Sequence, residues 1–251
     1  MAFFSVKFYS EALGMQTEVY VVLPQKKNSG EIGKPSGKSG EGAYRTLYLL
    51  HGLSDDHTIW MRRTSIERYA DRYGICVVMP CAARSFYCNM KYGPAYYTYI
   101  AHELPERMRE FFRLSDKRED NFVAGLSMGG YGALKIALRE RDRFCAAAGL
   151  SSAIDLEARK GNATFQAIFG ENAEVPAEDD LFRLAANTEK RPRLFLAVGT
   201  EDRLYAENQT MKKVLEESGY DVTYRESHGN HNWDFWDKYI VYVLEWMFGT
   251  K

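Results

Sequence analysis

The residues best suited to covalent chemistry lie mid-chain, in the stretch Asn121–Leu138, NFVAGLSMGGYGALKIAL. Asn121–Ala124 reads as a short buried strand, and the apolar residues after Ser127 recur at helical spacing. Between them Gly125-Leu126-Ser127-Met128-Gly129 fits the G-x-S-x-G pattern of a nucleophile elbow. A serine hydroxyl attacks a carbonyl only if it projects clear of the chain toward a base. A sharp strand-to-helix turn projects it, at the cost of a strained serine backbone and crowded neighbours. Gly125 and Gly129 leave room for that turn, and Gly130 and Gly132 are expected to let the helix pack close to the sheet. A helix N-terminus also offers free N–H groups to developing negative charge. The chemistry would be acyl transfer through a covalent intermediate. Two other readings use the same residues: an ordinary glycine-rich turn, and a dinucleotide loop. The second is disfavoured, because Tyr131 stands where a further glycine is needed and the motif is not in the first βα turn.

A serine nucleophile needs a base, and the base needs an orienting carboxylate. Where an elbow of this kind is used, acid and base follow the serine in that order. Of the five histidines, His51, His57 and His102 precede Ser127. His51 ends a strand and is expected to orient the loop that follows; His102 falls in a helical pattern as a surface or packing residue. His231 precedes Asn232-Trp233 in a Gly-Asn-containing loop and suits a base, whereas His228 lies nearer a strand end and suits loop support. A zinc site at His228-Gly-Asn-His231 is weak, since no third ligand is evident. For the acid, Asp202 in Gly199-Thr200-Glu201-Asp202 occupies a strand end two βα units after the elbow; Glu201 and Asp155 are its rivals.

The supporting elements follow from the pattern of the whole chain. Its 251 residues suit a single α/β domain, 1–251, and the formal net charge of −1 gives no sign of a nucleic-acid or anionic-membrane partner. No run is long enough to span a membrane, and the N-terminus lacks a secretory pattern, so a cytoplasmic setting with reduced thiols is expected. Of the four cysteines, Cys76 and Cys145 read as core, while Cys81 and Cys88 are separated widely enough to pair.

Ala2–Tyr9 and Thr17–Leu23 alternate and read as an antiparallel edge pair around Leu13-Gly14. Gln25–Ala43 reads as a flexible polar loop. Tyr44–Leu50 is a buried strand ending at His51-Gly52-Leu53, and Asp55–Arg63 a loop holding Trp60. Thr64–Tyr73 is expected as a helix, Ile75–Pro80 as a strand and Thr98–Phe112 as a helix. Between the last two, the aromatic loop Cys81–Tyr97 either walls a crevice or packs down on itself. Further strands are expected at Phe144–Leu150, Arg193–Val198 and Val222–Glu226, with helices at Tyr205–Ser218 and Asp234–Met247. Residues 151–191 suit a lid or cap, or a surface excursion. The fold class is α/β: a mostly parallel central sheet with an antiparallel N-terminal strand pair, helices on both faces and a small lid-like insertion.

Taken in order, HGLSDDHTIW, GLSMGGYGAL, VGTEDRLY and HNWDFWD resemble the esterase D family of α/β hydrolases over nearly the whole chain. That family includes S-formylglutathione hydrolases, tributyrin-type short-chain esterases and some feruloyl and acetyl-xylan esterases. The resemblance implies Ser127 as nucleophile, Asp202 as acid and His231 as base, with the backbone N–H groups of Leu53 and Met128 as oxyanion hole. It implies a small-molecule ester substrate and neither cofactor nor metal, and it admits a homo-oligomer. Trp60, Phe86, Tyr96, Trp233 and Trp236 are expected at the crevice, some of them shared with the core. Tyr131 replaces a histidine usual in S-formylglutathione hydrolases, and Ser54-Asp55 replaces their cysteine-containing segment. Both departures, with YSEALGMQTEVYVVLP and YTYIAHELP, favour the tributyrin-esterase branch. Acyl transfer to a sugar or lipid alcohol and a catalytically silent binding module are the competing functions.

Overall fold

A computed structural model describes residues 1–25, 42–186 and 189–249. The flexible loop expected at Gln25–Ala43 falls, for residues 26–41, outside the described residues. β1 (Ala2–Ser10) and β2 (Met15–Leu23) form an antiparallel pair whose turn closes through Gly14 at φ 67°. There follow β3 (Thr46–Leu50), β4 (Cys76–Pro80), β5 (Asn121–Leu126), β6 (Ala146–Leu150), β7 (Arg193–Gly199) and β8 (Val222–Ser227). They make one eight-stranded sheet in the order β1-β2-β4-β3-β5-β6-β7-β8. β2 runs antiparallel to β4, and every pairing from β4 to β8 is parallel.

The period of two explains how β3 holds both faces. Tyr48 and Leu50 enter one core with Val78, Val123 and Leu134, while Leu47 and Leu49 enter the other with Val77, Ala124 and Ala148. The helices are α1 (Ile59–Arg63), α2 (Ile66–Tyr73), α3 (Tyr96–Thr98), α4 (Leu104–Phe111), α5 (Met128–Arg139), α6 (Ala163–Phe169), α7 (Leu181–Ala185), α8 (Tyr205–Glu217) and α9 (Trp233–Phe248). Residues of α4, α5, α7 and α8 cover the first face, and residues of α2 and α9 the second. The chain leaves β3 toward β4 on one side and returns to β5 on the other. That reversal opens a crevice beyond the carboxyl ends of β3 and β5, where such sheets bind ligands.

Two local expectations need correction. Asp55–Arg63 is not all loop: Ile59–Arg63 is a helical turn, too short to leave a periodic signal. The helix expected from Thr98 already begins at Tyr96 and carries a π turn at Tyr99–Glu103 before Pro105 enters it. Proline has no N–H for the ordinary ladder, and a widened turn accommodates the gap.

Within residues 151–186, the segment packs onto the rest of the domain at several points. Lys91 and Tyr92 N–H groups of the aromatic loop donate to the Ile168 and Ala167 carbonyls at 2.7 and 3.0 Å. Phe165, Ile168 and Leu181 are buried in the first core. The fully buried Lys135 of α5 reaches Asp179 at 2.8 Å. All four cysteines are free thiols; Cys88 is buried, whereas Cys145, expected in the core, is only partly covered.

Candidate active site

The sheet delivers three loops to one place. β5 ends at Leu126 and α5 starts at Met128, so Ser127 alone makes the turn, at φ 53° and ψ −116°. A non-glycine residue holds such a conformation only where its surroundings enforce it. The flanking glycines are part of that enforcement. A Cβ on Gly129 would meet the Leu50 and His51 carbonyl oxygens at 2.5 and 2.6 Å, and one on Gly125 would meet the Gly129 carbonyl at 2.3 Å. Gly130 lets the helix approach β6, since a Cβ there would meet Ser152 Oγ at 2.4 Å just past the strand end, whereas Gly132 makes room for the Tyr87 ring and not for the sheet.

His231 and Asp202 arrive from the loops after β8 and β7. His231 Nε2 lies 3.0 Å from Ser127 Oγ, and its Nδ1 lies 2.9 and 3.1 Å from the two oxygens of Asp202. The carboxylate on Nδ1 selects the tautomer that leaves Nε2 free to accept the serine proton. The Asp202 side chain is wholly enclosed. Burial pushes its carboxyl up, but hydrogen bonds from His231, the Leu204 N–H and Ser151 outweigh it and hold the group below its ordinary value.

The rivals for these positions have other partners. Glu201 binds the exposed His228 at 2.7 Å and the Gly229 N–H at 2.6 Å, so this second pair ties the two loops together beside the first. Asp155 accepts from the Ala158 N–H in a local turn. His102 packs between Arg143 and Glu140.

His51 acts on the loop before Leu53. Its Nδ1 meets the Gly52 carbonyl at 2.7 Å, and its Nε2 accepts from the Ala82 N–H at 2.9 Å. Burial lowers its pKa, so the fold holds the neutral ring that both contacts require. The Tyr87 hydroxyl donates to the His51 carbonyl at 2.9 Å. Two backbone donors lie open at this corner. Among the described residues neither the Leu53 nor the Met128 N–H has a hydrogen-bond acceptor, and Met128 is the first residue of its helix. A protonated His51 would be favoured only by the unfolded chain. Stability from this source is therefore full above an ordinary histidine pKa of ~6.5 and falls as pH drops through it. In urea titrations, His51→Asn should lose less stability between pH 7 and pH 5 than wild type; an equal loss would exclude His51 as the cause.

The five aromatic residues expected at the crevice divide. Phe86 lines a cavity of about 290 Å³ beside Leu53. Tyr96 is buried in α3. Trp60, Trp233, Trp236 and His231 form an edge-to-face series with ring centroids 5.1, 5.3 and 4.9 Å apart. The Trp60 indole donates to the Leu50 carbonyl at 3.0 Å, and that of Trp236 to Ser151 Oγ at 3.1 Å. With its N–H committed, Trp236 packs edge-to-face on the His231 ring, while the buried Trp60 reaches it only through Trp233.

Ser151 is the site residue that sequence reasoning missed. It is fully buried at φ 46° and connects Trp236 to Asp202. Ser151→Ala removes one donor from the carboxylate and leaves the indole N–H without its acceptor. A loss of roughly tenfold in kcat, ~1.4 kcal/mol, is expected in steady-state assays.

The sheet order, the strained serine after β5 and the loops converging on it define an α/β-hydrolase. The chain belongs to the putative esterase family, whose sequence pattern matches residues 10–247. It is 32% identical to an acetyl esterase of Caldicellulosiruptor saccharolyticus over 98% of both chains. It is 34% identical to FphF, a fluorophosphonate-binding serine hydrolase of Staphylococcus aureus, with a TM-score of 0.89 over 99% of both chains. An S-formylglutathione hydrolase of the same organism, FrmB, is also 34% identical, with a TM-score of 0.85 over 98% of both. The protein is thus a carboxylic ester hydrolase acting on a small-molecule ester. Among the described residues, no helix is long and apolar enough to cross a membrane.

Proposed function

We propose that this esterase hydrolyses short-chain acyl esters through Ser127, His231 and Asp202 by way of an acyl-enzyme. The observation that carries the reading is one imidazole bridging the strained serine and a buried carboxylate, at 3.0 and 2.9 Å. Ser127 Oγ bonds to the ester carbonyl carbon while its proton passes to His231 Nε2. The carbonyl electron pair moves onto oxygen, which the Leu53 and Met128 N–H groups receive; one such donor is worth about 3 kcal/mol. Collapse expels the alcohol oxygen, which takes the proton from His231. Water then attacks the acyl-serine by the same route and releases the acid. Asp202 keeps the tautomer and stabilises the imidazolium.

Asp202 is held below its ordinary pKa by hydrogen bonds that outweigh its burial, so a loss of activity on mild acidification is not that of the carboxylate. kcat/KM should decline through a single ionisation as pH falls. A flat profile from about pH 5 to 8, with chemistry rate-limiting, would rule out histidine as the base.

A cavity of about 290 Å³ beside Leu53 suits a short acyl chain, and the acetyl esterase relative makes acetyl esters the first to test. Phe86 and Phe165, 4.8 Å apart and both lining that cavity, favour a second reading in which a feruloyl ring is the acyl group. Initial rates on acetyl, butyryl and octanoyl nitrophenyl esters, methyl ferulate, acetylated xylo-oligosaccharide and S-formylglutathione separate the readings. The first predicts a maximum at acetyl or butyryl, and the second a maximum at ferulate.

A further inference from the structure

The cavity beside Leu53 has a chemical character that a simple alkyl pocket does not need. It is bounded by the oxyanion loop at Leu53, by Phe86 of the aromatic loop, and by Asn162, Thr164 and Phe165 of the segment after β6. Arg84 is the one ionisable side chain among its described lining residues. It is exposed, and its Nη2 donates to Thr164 Oγ1 at 3.3 Å. No carboxylate lies within ion-pair distance of it among the described residues. Other arginines differ: on the same segment Arg159 is tied to Glu207, and Arg107 to Glu11 and Glu110.

Position identifies which half of the ester this cavity faces. The leaving oxygen must meet His231 Nε2 to receive its proton. No residue of the 228–233 loop lines the cavity, whereas Leu53 does. A cavity that shares Leu53 with the oxyanion corner and no residue with the loop of the base suits the acyl arm of the ester. Its walls are apolar at Leu53, Phe86 and Phe165, and its rim carries one guanidinium. A guanidinium presents paired donors that match a carboxylate.

We propose that this cavity binds acyl arms ending in a carboxylate, with Arg84 as the recognising group, so that short dicarboxylic acid monoesters are a preferred substrate class. The proposal rests on the acyl-enzyme reading above. The reaction is unchanged: the ester bond nearer the serine is cleaved, and the distal carboxylate stays on Arg84 through both steps.

The test compares 4-nitrophenyl monoesters of glutaric and adipic acid with the same esters methyl-capped at the distal carboxyl. In wild type, kcat/KM should favour the anionic member by roughly 2- to 5-fold, as expected for one exposed charge pair. The preference should fall toward unity in about 0.5 M salt. Arg84→Gln should bring the ratio near unity, Arg84→Lys should keep part of it, and Arg84→Glu should invert it. Because each ratio is taken within one variant, partial misfolding of that variant cancels. The salt dependence in wild type also needs no substitution. A wild-type ratio at or below unity for both lengths overturns the proposal, as does a ratio unmoved by Arg84→Gln. If neutral butyrate turnover is Ser127-dependent while charge preference is absent, this inference alone fails. If neutral butyrate turnover is indifferent to Ser127→Ala, the acyl-enzyme reading fails and this inference falls with it.

Discussion

Ser127→Ala lowers kcat on 4-nitrophenyl butyrate by about 10⁴- to 10⁶-fold, the scale on which triad members act as a unit. The substitution removes only Oγ, at a site whose geometry is set elsewhere. The turn is enforced by Gly129 against the Leu50 and His51 carbonyls and by the Ser127 N–H donating to Leu150 at 2.8 Å. None of those contacts involves the hydroxyl. The thermal midpoint should therefore stay within a few degrees of wild type, or rise as relief of the crowded polar pair stabilises the fold. His231→Ala should cost a similar factor, and the double variant little more than either single one, because the two residues share one proton transfer. A double variant that multiplied the single losses would mean that they work independently.

Asp179→Ala should destabilise the fold by about 3–5 kcal/mol, the cost of leaving a buried charge without its partner. Lys135 is fully buried on α5, with its ammonium 2.8 Å from Asp179, 3.0 Å from Cys88 Sγ and between the Tyr97 and Tyr131 rings at 5.2 and 5.1 Å. Burial pushes the Cys88 thiol up to about 11, an effect that Lys135 partly offsets, so the sulfur remains a neutral thiol and no second anion replaces the aspartate. The Tyr131 hydroxyl donates to the Asp179 backbone carbonyl at 2.6 Å, a contact the alanine keeps. The loss is then that of the side-chain charge. In a chain of this size it should lower the melting temperature by roughly 10 °C. Replacing both partners by apolar residues, Lys135→Met with Asp179→Leu, should recover most of it. A single-variant loss under about 1 kcal/mol would mean that water compensates the ammonium. Arg139 itself lies 3.8 Å from Asp179, so its own charge should favour the aspartate and not the lysine.

The same pair explains the Tyr131 departure from the S-formylglutathione hydrolase pattern. Tyr131 is buried with its hydroxyl committed to the segment after β6. The position is a structural tie between α5 and that segment: its backbone N–H donates to the Ser127 carbonyl at 3.1 Å, but its hydroxyl is spent on Asp179 and not on the serine–imidazole–carboxylate line.

How much of this was legible follows from where each constraint resides. The elbow could be read because its pattern is local: the serine at positive φ and the two glycines that make room for it fall within five residues, although what Gly129 clears is the distant pair of carbonyls at Leu50 and His51. His231 and Asp202 could be found because both hang on strand ends whose order is fixed by the alternation of elements. Position alone does not separate Glu201 from Asp202, since both lie at the same strand end; in the sequence the family resemblance is what favours Asp202. Only the register of β7 and β8 puts Asp202 on His231 and Glu201 on His228.

Ser151 left no signal, because its partner Trp236 is 85 residues away and serine after a strand is ordinary. Trp60 and Trp236 misled for a related reason. Composition places aromatic rings near the crevice but does not say whether an indole N–H is already committed. Lys135 left no signal either, because its burial follows from the cover over the whole length of α5 and not from its own type.

Labelling with a fluorophosphonate followed by peptide mass mapping tests the central claim most directly, because it reports the nucleophile itself and not a rate. The account predicts a single phosphonyl adduct on Ser127, absent in Ser127→Ala and much slower to form in His231→Ala. An adduct on another residue, or esterase activity that persists undiminished after Ser127 is fully modified, would contradict it.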